Sequence, residues 1–167
     1  EELADWLATD PTGSGDGDVL IIGDLNAYDK EDPIDALRNG ADDIAGTADD
    51  YVDLVLRDRG EEAYSYVFSG QWGYLDYAMA ITPTAVKVTN TTVWHINADE
   101  PDILDYDTSF KKPAQQALYE KNAFRSSDHD PVIIGLAMTQ VPIYDIQGDG
   151  DASPYEGEVV RTTGVVT

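Results

Sequence analysis

Two short apolar runs limit how this chain can fold. Val19-Leu20-Ile21-Ile22 leads into Gly23-Asp24-Leu25-Asn26, and Val132-Ile133-Ile134 follows Ser126-Ser127-Asp128-His129-Asp130-Pro131. Continuous apolar runs of this length, bounded by Gly, Pro and acids, read as strands, the first of them buried on both sides. Reactive groups stand at their ends: a carboxylate and an amide after the first run, an imidazole between two carboxylates before the second. In a strand, residues two apart share a face, so Asp24 and Asn26 can point the same way. Asp-x-Asn and Asp-His-Asp at the mouths of two strands point to metal-assisted phosphate chemistry.

The 167 residues suit one domain of ordinary size, and 42% hydrophobic content allows a core. No run approaches the ~18 apolar residues of a membrane helix, so no membrane partner is expected. Glu1 to Asp5 lack the basic start and apolar centre of a signal peptide. Thirty-three acids against ten Lys and Arg give a net charge of −23. That is the wrong sign for a protein that grips phosphates with cations. Either a metal and a few local cations offset the field, or the acids form a hydrated surface suited to high salt, where the Debye length is ~3 Å at 1 M. With no cysteine, disulfides, thiolate nucleophiles and zinc–cysteine sites are excluded.

Local patterns predict the remaining elements. Glu2 to Thr9 reads as the end of an amphipathic helix with Leu3, Trp6 and Leu7 on one face. Asp18 to Ile22 is the first strand. Pro33 suits the first turn of a helix that runs through Arg38 and stops at Asn39-Gly40. Tyr51 to Arg59 reads as a helix stopped by Gly60. Ala63 to Phe68 and Tyr74 to Ile81 read as strands separated by Ser69-Gly70-Gln71-Trp72-Gly73. Short strands are expected near Val86–Val88 and Val93–Ile96. An irregular stretch, Asn97 to Asn122, follows, with one helical turn around Gln115 to Tyr119. Pro131 to Ala137 is the last strand of this unit. A change in texture near Thr139 divides residues 1–139 from a polar, Gly-rich segment, 140–167.

Inside the Tyr74–Ile81 run stands one acid, Asp76. A buried carboxylate needs a partner, and His129 is the candidate, since a carboxylate fixes an imidazole's tautomer. Satisfaction of Asp76 by backbone N–H groups is the alternative.

The order of these segments resembles the endonuclease/exonuclease/phosphatase superfamily of DNase I-like enzymes, especially the bacterial extracellular nucleases. The resemblance rests on Gly23-Asp24-Leu25-Asn26-Ala27-Tyr28, Tyr64-Ser65-Tyr66-Val67-Phe68, Gly70-Gln71-Trp72-Gly73-Tyr74-Leu75-Asp76, Trp94-His95-Ile96-Asn97-Ala98-Asp99-Glu100-Pro101 and Ser126-Ser127-Asp128-His129-Asp130-Pro131. It runs from about Glu1 to Leu136 and corresponds to the second half of that family's fold. The family's metal-binding Glu, on an earlier strand, has no counterpart here. The chain therefore reads as a fragment, with activity on its own in doubt.

The resemblance implies an α/β fold, part of a four-layer sandwich with antiparallel or mixed sheets and flanking helices. It implies a secreted hydrolase of phosphodiester bonds in DNA, with RNA as an alternative. Asp24 would orient or deprotonate the attacking water, and Asn26 would stabilise the phosphorus centre. Asp76 would hold His129, which would contact the phosphate and transfer a proton. Asp128 would belong to a metal site taking Mg²⁺, with Mn²⁺ or Ca²⁺ as alternatives. His95 is assigned a structural role, with phosphate contact as the alternative. Ile143 to Thr167 is similar to the opening of an OB-like module. Asp149-x-Asp151-x-Ser153 hints at a calcium loop, but Pro154 and Val160 stand where such a loop needs Gly and Glu. Two further functions stay open on the same residues: a phosphatase acting on a phosphomonoester or lipid headgroup, and a non-catalytic binding module.

Overall fold

The computed structural model describes residues 2–137, 140–158 and 160–162. The chain divides into two compact units, Glu1–Gly135 and Leu136–Thr167. The first is a mixed α/β unit of small antiparallel sheets and short helices. In chain order its elements are α1 (Glu2–Leu7), β1 (Leu20–Asp24), α2 (Asp32–Arg38), β2 (Tyr51–Asp53), α3 (Leu54–Arg59), β3 (Tyr66–Phe68), β4 (Gln71–Gly73), β5 (Asp76–Ile81), α4 (Thr82–Ala85), β6 (Val88–Val93), a 3₁₀ turn (Asp102–Leu104), α5 (Pro113–Gln116) and β7 (Val132–Leu136).

The principal sheet has the order β1-β5-β2. Both pairings are antiparallel, with Ile22 opposite Ala78 and Val52 opposite Ala80. Central β5 buries Tyr77, Ala78, Met79 and Ala80 completely. Against it pack Ile34 and Leu37 of α2, Leu54 and Val55 of α3, and Ala4 of α1. Strands β3 and β4 form a hairpin, and β6 pairs with β7.

Several expectations change on contact with this architecture. β1 is an edge strand, and Ile22 is 65% exposed, so the run is not buried on both sides. α1 buries Ala4 and half-buries Leu7, while Trp6 faces solvent at 58% exposure. The segment Tyr51 to Arg59 is not one helix. Its first three residues extend as β2 because they complete the sheet beside β5. Asp53 then caps α3, its carboxylate accepting from Leu56 N at 3.0 Å.

The separator after Phe68 contains a strand. Ser69 and Gly70 both take positive φ, 52° and 77°, as a two-residue type I′ hairpin turn requires, and Gln71–Gly73 returns along β3. Of the two short strands expected near Val86 and Val93, one continuous strand, β6, is found. Pro83 helps turn the chain just ahead of it into the short helix α4. The helical turn expected near Gln115 starts at Pro113, a residue preset for a first turn.

The second unit holds α6 (Ile143–Gln147) and a parallel bridge between Gln140 and Arg161. Ile143 to Gln147 is thus helical where a β-rich segment was expected. The Pro142 carbonyl accepts from both Asp145 N and Ile146 N, which winds the first turn. The expected strand at Gly164–Thr167, and Thr139 at the expected boundary, lie outside the described residues.

Candidate functional site

The site grows from one register pair. Asp24, the last residue of β1, lies directly opposite Asp76, the first of β5. Opposed residues on an antiparallel pair share a face, with Cβ atoms about 4.5–5.5 Å apart, and like charges there are unfavourable. Each carboxylate is therefore tied to donors of its own. Asp24 Oδ1 accepts the Asn26 N–H at 2.7 Å. Asp76 Oδ2 accepts the Ser65 hydroxyl at 2.6 Å and faces His129 Nδ1 at 2.7 Å.

Backbone geometry presents the Asp24–Asn26 turn. Gly23 has φ 131°, and a Cβ there would meet no atom within 4 Å, so conformation and not space calls for glycine. Asn26 follows at φ 51°, a region that Asn tolerates better than most residues. Leu25 N donates to Leu75 O at 2.9 Å, and the Tyr77 hydroxyl donates to Ala27 O at 2.9 Å. Those two bonds flank Asn26 and hold its backbone against β5. Its side chain makes no protein hydrogen bond among the described residues and is exposed.

His129 is fixed from three sides. Asp76 holds Nδ1, which makes Nε2 the ring's outer nitrogen. The Tyr66 ring stacks on the imidazole at 4.5 Å and 28°. The backbones of Tyr66 and His129 form an antiparallel bridge, continued by Asp130 N donating to Ser65 O at 2.7 Å. The ring keeps only 20% of its side-chain surface exposed, beside 16% for Asp76. Burial first, then the negative charge of Asp128, raises the Tyr66 phenol above its ordinary value.

A second histidine–carboxylate pair lies next along the chain. Asp130 is 1% exposed and faces His95 Nδ1 at 2.8 Å through Oδ2. Its Oδ1 accepts three backbone N–H groups, from Ile96, Asn97 and Ala98, at 2.8–3.0 Å. Asn97 then clamps the Ser126–Asp130 loop: Nδ2 donates to His129 O at 2.7 Å, and Oδ1 accepts from Ser126 N at 3.1 Å. Buried Arg125 donates to Asn97 O and to Asp102. The Trp-His-Ile-Asn segment is therefore the bed on which the Asp-His-Asp loop rests. His95 is tied to that loop through Asp130, and 40% of its side chain stays exposed.

Of the five residues singled out from sequence, Asp76 and His129 are in direct contact, and Asp24 opposes Asp76 in register. Asn26 is joined to Asp24 through its backbone N–H. Asp128 adjoins His129 in the chain, and no hydrogen bond ties its carboxylate to the other four among the described residues. Ser65, Tyr66, Asn97 and Asp130 carry as much of the geometry and were not singled out. Alternation in Tyr64-Ser65-Tyr66 was the available signal, since it sets Ser65 on the face opposite its aromatic neighbours.

Among the described residues, no group of three or more His, Asp or Glu side chains comes together to hold a metal ion. The chain offers single carboxylates, Asp24 and Asp128, which are the donor type of a hard cation. They do not by themselves make a metal centre. Comparison with protein-family models, with curated proteins and with solved structures found no match to this chain.

Proposed function

We propose that this chain carries part of the hydrolytic centre of a phosphodiesterase acting on nucleic acid. The observation that carries the reading is the Asp76–His129 pair at 2.7 Å, set beside Asp24 by the strand register. The order of motifs that resembles the DNase I-like superfamily supports it, and a four-layer sandwich is the finer architecture that goes with it. Secretion belongs to the same proposal and rests on that resemblance.

The chemistry follows from the side chains. In its doubly protonated form, with Nδ1–H hydrogen-bonded to Asp76, His129 presents an Nε2–H outward; that proton passes to the leaving oxygen as its bond to phosphorus breaks, and the neutral ring left behind is reprotonated from solvent. Asp24 accepts the proton of an attacking water whose oxygen forms the new bond to phosphorus. The Asn26 amide donates to a phosphoryl oxygen as charge builds there. Divalent metal assistance, with Mg²⁺ as the ion and Asp128 as a ligand, is a separate part of the proposal.

The test is cleavage of plasmid DNA in Mg²⁺ by the full-length parent protein, beside the same protein carrying His129→Ala or Asp24→Ala. Loss of a positioned acid or base lowers the rate by about 10²–10⁴-fold in each variant. Equal cleavage by all three proteins overturns the mechanism. A second reading, hydrolysis of a phosphomonoester, is favoured by the net charge of −23, which repels a polyanion more than a small substrate. Turnover of p-nitrophenyl phosphate with no cleavage of DNA or RNA would select it.

A further inference from the structure

A proton donor works only when its nitrogen comes within about 2.6–3.2 Å of the oxygen that takes the proton. Asp76 and Tyr66 hold the His129 ring, but its backbone belongs to an irregular loop, Ser126 to Asp130, whose only ladder contact among the described residues is the bridge to Tyr66. What fixes that backbone is a single carboxamide from a segment about thirty residues earlier. Asn97 is 3% exposed. Its Nδ2 donates to His129 O at 2.7 Å, and its Oδ1 accepts from Ser126 N at 3.1 Å. One planar group thus spans the loop from its first residue to its fourth. Asparagine suits the place because its short side chain offers a donor and an acceptor together.

Asn97 is itself immobilised from the loop it holds. Its N–H donates to Asp130 Oδ1 at 2.8 Å, and its carbonyl accepts from Arg125 at 2.9 Å. Asp130 and Arg125 are 1% and 6% exposed. The bonds close a circuit: the loop supplies Asp130, Asp130 fixes the backbone of Asn97, and the Asn97 side chain returns to the loop. Both polar atoms of the Asn97 side chain and both Asp130 oxygens have partners. Buried polar networks satisfied in this way rigidify the parts they join.

We propose that Asn97 is a positioning residue for the proton transfer by His129. It touches no substrate and acts by fixing the backbone from which the imidazole reaches the leaving oxygen. This rests on the hydrolytic reading of His129.

The test compares two leaving groups. As the P–O bond of DNA breaks, its electron pair stays on an alkoxide oxygen, which needs the proton from Nε2–H. The p-nitrophenolate released from bis(p-nitrophenyl) phosphate is a stable anion and leaves without one. Cleavage of both substrates is measured for the full-length parent protein and its His129→Ala, Asn97→Ala and Asn97→Asp variants, with rates scaled to the folded fraction from circular dichroism. Asn97→Ala lowers kcat on DNA by about 10²-fold, the cost of a misplaced catalytic group. Its loss on the nitrophenyl diester is much smaller, the same selective pattern as His129→Ala. Asn97→Asp has the same shape, keeps the acceptor for Ser126 N and sets an oxygen against His129 O, so it shows the selective loss even if Asn97→Ala does not fold. Equal fractional losses on the two substrates, or no loss on DNA, overturn the positioning role and leave the hydrolytic reading standing. Cleavage of neither substrate by the wild-type parent removes that reading and the positioning role with it.

Discussion

Ser65 is fully buried and serves three groups with one hydroxyl. It donates to Asp76 Oδ2 and lies 3.3 Å from the N–H groups of Leu75 and Asp76. Removing it leaves two buried N–H groups without that acceptor and gives Asp76 one fewer restraint. Ser65→Ala is expected to lower stability by roughly 1–3 kcal/mol, read from the urea midpoint. On the proposed hydrolytic reading, DNA cleavage falls further than the folded fraction accounts for, because His129 is held through Asp76. An unchanged midpoint would show that the hydroxyl is not a structural partner. The pairing of Asp76 with His129 was legible in the sequence, since a lone acid in an apolar strand needs a partner and the chain has only two histidines. The triple N–H cradle around Asp130 was not legible. Its donors lie 32–34 residues away, and nothing local marks a backbone amide as pointing inward.

At the level of elements, hydrophobic spacing located most segments and misjudged several types. Val52, Val55 and Leu56 fit a helical face, yet Tyr51–Asp53 is a strand. The place beside β5 outweighs a weak local preference, because an unpaired sheet edge gains backbone bonds there. The change of type falls on Asp53, which is 5% exposed and caps α3. Its Oδ2 also pairs with Arg38 at 2.9 Å and accepts the Tyr74 hydroxyl at 2.9 Å. Asp53→Ala therefore removes a helix cap and leaves a half-buried guanidinium and a buried phenol without their acceptor. The expected loss is about 3–5 kcal/mol, measured by denaturant unfolding monitored at two wavelengths. A loss below about 1 kcal/mol would mean that water replaces the carboxylate. Turn chemistry was legible where one residue type dominates: Gly60 after α3 and Asn39-Gly40 after α2 stand where the helices stop.

Charge sets the behaviour of the whole molecule. A net −23 spread over exposed loops such as Asp16–Asp18 and Asp42–Asp43 repels itself at long range, and few of those acids are paired with cations. Added salt screens that repulsion, with the Debye length falling from ~30 Å at 0.01 M to ~3 Å at 1 M. The urea midpoint is expected to rise with KCl across that range, and a flat or falling midpoint would rule out self-repulsion as a significant cost. Charge, cysteine count and the lack of a long apolar run follow from composition, so no folding is needed to know them. The positions of Asp24, Asn26 and His129 at the ends of apolar runs were likewise readable, because strand mouths are marked locally by Gly, Pro and acids. Asp76, by contrast, reads as lying inside a run and stands at the start of β5. Strand partners, the edge position of β1 and the hairpin that lays Tyr66 on His129 belong to the tertiary structure. Each joins residues far apart in the chain, and the free energy that selects them comes from burying β5 and satisfying its neighbours, a sum that no single window of sequence contains.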